Sequence, residues 1–217
     1  MTAAGLALLD SVQAELAPRD EQNRLPPLVA AGTASRSVFT LLALEQLRIV
    51  PSDWRSLHHL AARSEHPSVR HYFADLATGE EHALAALRGL VDAVGLDTAA
   101  IRGHEPLPGC QAYPSYFAWL ALNAEPTEVA VAMTANFAAW GRYCAAISGG
   151  MRRHYGFEPG AVAFFDFFAT PLPPDAAAEA IGVGIESRTL DPARARQYAR
   201  LFQSYELMFW NTLADHS

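Results

Sequence analysis

The sequence predicts a single all-α domain, and three observations carry that prediction. Apolar residues recur every three or four positions in successive blocks, no two-residue alternation marks a strand, and Pro, Gly or Asp punctuates the block boundaries. At 217 residues the chain is long enough for one sizeable core and no linker divides it. Residues 1–217 are therefore expected to fold as one unit of about seven to nine helices.

The opening stretch MTAAGLALLDSVQAEL carries Asp10 and Glu15 at helical positions, with no basic region ahead of its apolar residues. Residues 1–22 read as an N-terminal helix with its lead-in, at a cytoplasmic start. From Ser35 to about Val50 apolar side chains recur at Val38, Leu41, Leu42, Leu44 and Ile49. Pro51 is expected to stop this helix, with Ser52 or Asp53 capping a short successor to Arg63. Pro67 suits a first helical position, and a long helix through His71, Tyr72, Leu76, His82, Leu84, Leu87 and Val91 should end near Gly95. GHEPLPGCQAYP reads as a turn-rich crossing, followed by helices over Tyr116 to Asn123 and Thr127 to about Gly156. The second carries Met133, Phe137, Trp140, Tyr143, Ile147 and Met151 at helical spacing, and Gly149 and Gly150 offer a place to bend. FFDFFATPLPPD predicts a short aromatic helix ending in a proline-braked turn. Asp175 then suits the cap of a helix to about Arg188, and Asp191 with Pro192 opens the last helix toward Leu213.

Composition excludes several functions. The net charge of −7 argues against a nucleic-acid partner, which requires clustered basic side chains to neutralise phosphates. Hydrophobic residues make up 51% of the chain, yet Arg, Asp or Pro interrupts every run before the roughly 18 to 20 apolar residues that span a bilayer, so no membrane partner is expected. All 16 basic residues are Arg, which removes Schiff-base chemistry and a lysine base. Cys110 and Cys144 belong to no CxxC pair or zinc-type spacing and are expected to be reduced thiols. No cofactor motif is present, and none is expected.

Four separated segments, spread from about Asn23 to Leu213, match one family pattern in order: NRLPPLVAAGTASRSVFTLLALEQL, EEHALAALRGLVDAVGL, MRRHYGF and SYELMFWNTL. With these segments the chain resembles the TenA/PqqC group of the haem-oxygenase-like superfamily, which implies that group's helical bundle. The resemblance also implies departures from the group's chemistry. Where the thiaminases of the group carry a nucleophilic Cys, NFAAWGRYC places Ala138 or Ala139, with Cys144 about one turn further on. The carboxylate ending the first family helix aligns with Gln46, and Glu45 keeps a carboxylate beside it. The superfamily's dimetal oxidases use a Glu with His seven positions later, a spacing that Asp75 and His82 reproduce on one helical face. Pro171 and Ala178 stand at two further His positions, Asp175 survives between them, and the central Glu is replaced near Trp140. Two carboxylates with one imidazole make a poor dinuclear site, so no metal site is expected.

Glu206 is the strongest catalytic candidate. It shares a helix face with Phe202, Phe209 and Leu213, so an apolar stripe carries a carboxylate in its middle. An inward carboxylate requires partners or a raised pKa, and either suits a general acid or base; the resemblance implies the same role. Glu45 and the pair Asp75 and His82 are the further acid/base candidates. Tyr116 matches the group's pocket tyrosine and Tyr113 lies one turn before it; a phenol offers an aromatic face and one hydroxyl to hold a flat or cationic ligand. Gln46, Asn136, Trp140, Tyr143, Cys144 and Tyr205 complete the expected substrate wall.

Together these residues and the resemblance lead to the expectation of a metal-independent enzyme acting on a small nitrogen-containing metabolite. Its reaction is expected to be acid/base-assisted hydrolysis, rearrangement or cyclisation at a C–N bond, in thiamin-related or specialised metabolism. A non-haem iron oxygenase with a rebuilt ligand set and a non-catalytic binding or scaffold subunit are the alternatives. The resemblance also implies a homo-oligomer.

Overall fold

The structure, a computed structural model, describes residues 2–16 and 22–217; the predicted lead-in from 17 to 21 lies outside the described residues. The described residues form ten helices and no strand, slightly more helices than the sequence predicts. In chain order they are α1 (Thr2–Glu15), α2 (Leu25–Ala31), α3 (Ser37–Arg63), α4 (Pro67–Ala93) and α5 (Thr98–Gly103). The remainder are α6 (Pro108–Asn123), α7 (Pro126–Tyr155), α8 (Pro159–Ala169), α9 (Asp175–Ser187) and α10 (Pro192–Asp215). No helix among the described residues is long and apolar enough to cross a membrane.

Several boundaries follow from local chemistry. His66 caps α4 by accepting the Ser68 N–H, and Asp191 caps α10 by accepting the Ala193 N–H, each just before a proline at the first helical turn. Gly156 ends α7 with φ +68°, a left-handed conformation that glycine adopts without strain. Asp175 is the first residue of α9 rather than its cap, which is Pro174.

Three expectations are corrected by packing. Pro51 does not stop a helix: α3 runs through it for 27 residues. A mid-helix proline loses one backbone hydrogen bond and costs about 3 kcal/mol. Burial on both sides of it, at Ile49, Val50, Leu57 and Leu60, outweighs that cost. The segment read as a turn-rich crossing supplies the first two turns of α6, which begins at Pro108 rather than Tyr116. Gly150 is not a hinge but a close approach: a Cβ there would lie 2.4 Å from the Val29 carbonyl oxygen of α2. Gly150→Ala gains about 1 kcal/mol of helix propensity but forces two backbones apart, and overpacking of this kind costs about 3 kcal/mol. The expected net loss is about 2 kcal/mol, a fall of about 6 °C in melting temperature. Gly149→Ala, whose Cβ would meet only the end of Arg153, should instead stabilise in the same thermal scan.

Six helices close into a ring, α3 packing on α4, α4 on α8, α8 on α7, α7 on α10, α10 on α6, and α6 back on α3. α2 lies on the outside of α7, while α1 and α9 pair with each other against α7. The inner faces of the ring enclose the core, which includes Phe39, Phe73, Phe117, Phe164, Phe209 and Trp210.

Candidate functional site

Every helix of the ring sends a side chain toward one place. Asp53 comes from α3, Glu80 from α4, Tyr113 from α6, Trp140 and Cys144 from α7, Phe168 from α8, and Glu206 and Trp210 from α10. Tyr113 is their meeting point. Its ring lies 6.1 Å from Trp140, 6.0 Å from Phe202 and 5.7 Å from Phe209, and Trp140 stands 4.8 Å from Trp210. Its hydroxyl interacts with the Asp53 carboxyl. Burial first, then the charges of Asp53, Glu80 and Glu206, holds that hydroxyl well above the usual phenol range.

The electrostatics of this place are one-sided. Glu206 is 5% exposed and receives one long hydrogen bond, from Trp210 Nε1 at 3.4 Å; burial pushes its carboxyl up to about 8. Burial likewise pushes Glu80 up to about 8. Asp53 is raised by burial and then by the charge of Glu80, and its Oδ1 is shut from solvent with no partner. None of the ion pairs among the described residues reaches any of the three. A carboxylate withdrawn from water without a counter-cation loses more hydration than it regains, which moves its pKa upward. Three carboxyl groups with raised pKa values thus stand against an aromatic wall. Charge marks this place better than volume does. A surface depression of about 300 Å³ lined by Asn23, Pro26, Arg142 and Tyr143, and one of about 250 Å³ lined by Arg36, Thr40 and Phe157, include none of these acids.

The other candidate residues are distributed unevenly around this centre. Trp140 stands in its wall, and Cys144 is fully buried close enough to Glu206 that burial and then that charge raise its thiol. Glu45 is buried but fully engaged: His104 Nε2 at 2.8 Å, the Leu107 N–H at 2.8 Å and Gln111 Nε2 at 3.0 Å all meet it. That engagement ties α3 to the start of α6. Gln46 is buried beside it. Asp75 and His82 are both exposed on α4, and His82 meets the edge of Phe167 at 6.4 Å, so the structure does not bring them to the acids. Tyr116 and Tyr205 pack on each other at 5.0 Å, with Trp119 stacked on Tyr116 at the outer side of α6 and α10. Tyr143 packs on Trp210 at 6.0 Å while also lining the larger depression. Asn136 is buried, donates to the Ala132 and Ala199 carbonyls, and leaves its own Oδ1 without a partner.

Two acids of the site were not anticipated. A helix ending at Pro51 makes Asp53 a capping candidate; in the continuous helix it shares a face with Ile49, Val50, Leu57 and Leu60. Glu80, which the sequence analysis does not single out, lies on the stripe of Phe73, Ala77, Leu84 and Leu87. The test of helical phase that singled out Glu206 picks out Glu80 as well. Glu81 does point away, accepting from Trp54 Nε1 at 3.0 Å.

Residues 27–161 match the TENA/THI-4/PQQC family. The chain belongs to that family. Its fold is shared with a TenA family transcription regulator from Silicibacter sp. TM1040, at 16% identity and a TM-score of 0.74 over 95% of this chain and 96% of that one. A TenA homologue protein from P. horikoshii OT3 is similar at 14% identity and TM-score 0.69, covering 98% and 97%. A domain of unknown function with a heme oxygenase-like fold from Shewanella denitrificans OS217 is similar at 12% identity and TM-score 0.68, covering 98% and 88%. The chain matches no curated protein. The fold of this TENA/THI-4/PQQC member is thus haem-oxygenase-like. Among the described residues no three His, Cys, Asp or Glu side chains are grouped to hold a metal ion.

Proposed function

We propose that this TENA/THI-4/PQQC member is a small-molecule enzyme that acts by proton transfer on a nitrogen-containing metabolite, breaking or rearranging a C–N bond. The observation that carries the reading is Glu206, a buried carboxyl with no counter-cation that stays protonated to about pH 8. A general acid works best with a pKa near the operating pH, because both its proton-bearing fraction and its driving force are then favourable. Protonation of a leaving nitrogen by Glu206 lowers the barrier to C–N cleavage, and the conjugate base then takes the proton of an attacking water. Tyr113 and Trp140 offer ring faces to a flat, cationic heterocycle. Asp53 and Glu80 ionise to balance its charge once it is bound.

The test is incubation with aminopyrimidines and related N-heterocyclic amines, following release of amine or ammonia by chromatography between pH 6 and 10. The sign follows from the raised acid. With Glu206 as proton donor, the rate is high below about pH 8 and falls about tenfold per pH unit above it. A rate that keeps rising to pH 10, or full turnover by Glu206→Gln, overturns the assignment.

A further inference from the structure

The larger surface depression brings together two polar groups that the protein itself leaves unsatisfied. It measures about 300 Å³, lies between α2 and α7, and is lined by Asn23, Pro26, Ala30, Arg142, Tyr143 and Ala146. The two helices meet backbone to backbone at Gly150, and the short side chains of Ala30 and Ala146 leave room between them. Small-molecule sites are concavities of about this size, with an apolar lining and a few placed polar groups.

Asn23 is the first of the two groups. It is 1% exposed, and its Oδ1 accepts from the Leu25 N–H at 3.4 Å, which fixes the orientation of the amide. Its Nδ2 is then left without a partner, a state that folded chains rarely keep for a buried donor. Arg142 is the second. It is exposed, and among the described residues neither an ion pair nor a hydrogen bond reaches it. Arg24, next to Asn23, is by contrast held by Asp215 and the Asn211 carbonyl. None of the described residues lining the depression is acidic, so it presents an amide donor and a positive charge. A guanidinium offers paired N–H groups that match the oxygens of a carboxylate or a phosphate. Pro26, Ala30 and the Tyr143 ring supply an apolar floor for the rest of an organic molecule.

We propose that this depression binds the oxyanion group, carboxylate or phosphate, of a small organic ligand, with Arg142 pairing with the anion and the Asn23 amide donating to one of its oxygens. The sign of charge is opposite to that of the carboxyl cluster, and binding here does not depend on the chemistry assigned to Glu206. Tyr143 is the wall between the two places: it lines the depression and packs on Trp210 at 6.0 Å, and Trp210 donates to Glu206. Occupancy is therefore expected to change tryptophan fluorescence.

The test is titration of the full chain with phenyl phosphate and with benzoate, with benzyl alcohol as the uncharged control, followed by calorimetry and tryptophan fluorescence. At least one anion should bind with a dissociation constant below about 1 mM and the alcohol should not; the tighter anion identifies the source of the oxyanion. Arg142→Ala should weaken binding about tenfold or more, and Arg142→Lys, which keeps the charge without the fork, should recover part of the loss. Arg142 is exposed, so its replacement leaves the fold intact, which an unchanged melting temperature checks. Asn23→Asp keeps the acceptor for the Leu25 N–H but turns the donor into an acceptor, and should also abolish binding. Absence of binding by both anions up to about 10 mM overturns the proposal. So does equal binding of the alcohol, or anion binding that Arg142→Ala leaves unchanged.

Discussion

Glu206→Gln should abolish turnover while making the protein more stable, and the two effects should part company with pH. Removal of a positioned general acid costs about 10²- to 10⁴-fold in rate. Gln preserves the shape and still accepts from Trp210 Nε1, so packing is retained. The stability effect follows from linkage. Glu206 ionises near 4.5 when unfolded and near 8 when folded, so its contribution to stability is complete below 4.5 and is lost as pH rises to about 8. The variant has no such loss. Its advantage over wild type should be absent at pH 4.5, grow through neutrality and level off above about pH 8. On the order of 5 kcal/mol, or about 10 to 20 °C in melting temperature, is expected there. Thermal unfolding at pH 5 and pH 9 checks the sign: equal shifts at both pH values would mean that the carboxyl is not the source. Loss of activity with gain of stability separates a functional acid from a structural one, whose removal destabilises.

Glu45→Ala should do the opposite, lowering stability by about 4 kcal/mol and melting temperature by about 12 °C. Three donors converge on this buried carboxylate, from His104, the Leu107 backbone and Gln111. Hydrogen bonds to a charged acceptor are worth more than neutral ones, and truncation strands the Leu107 N–H at the start of α6. Tyr113 stands nearly two turns further along that helix, so turnover is expected to fall as well, through misplacement of its hydroxyl. Chemical denaturation should show a lower midpoint with unchanged slope. An undiminished midpoint would mean that the three hydrogen bonds are not maintained in solution.

The contrast between these two glutamates shows what helical phase can and cannot decide. Phase alone places Glu206 among Phe202, Phe209 and Leu213, and it alone would have placed Glu80 among Phe73, Ala77 and Leu87. Whether an inward carboxylate is neutralised depends on residues far away in the chain. Glu45 meets residues 59, 62 and 66 positions away, and Glu128 is met by Arg194, 66 positions away. Glu206 has its hydrogen bond from its own helix, from Trp210. The sequence does not encode that difference in any local pattern.

Asp53 was hidden for another reason. A proline usually ends a helix because it lacks an N–H and crowds the preceding turn, and that local rule removed Asp53 from the core face. Burial of the flanking apolar residues against α4 and α6 overrides it, which is a property of the assembled ring.

The sequence by itself determined the all-helical class, most helix starts, the family resemblance and the inward direction of Glu206. These depend on periodicity of 3.6 residues, on caps and on side-chain type, all of which act over one or two turns. Only the tertiary structure decided that α3 passes through Pro51, that Glu45 is tied down, and that Asp53, Glu80 and Glu206 meet at Tyr113 without a counter-cation. Those outcomes depend on which distant helices close the ring, and burial and charge pairing are properties of that closure.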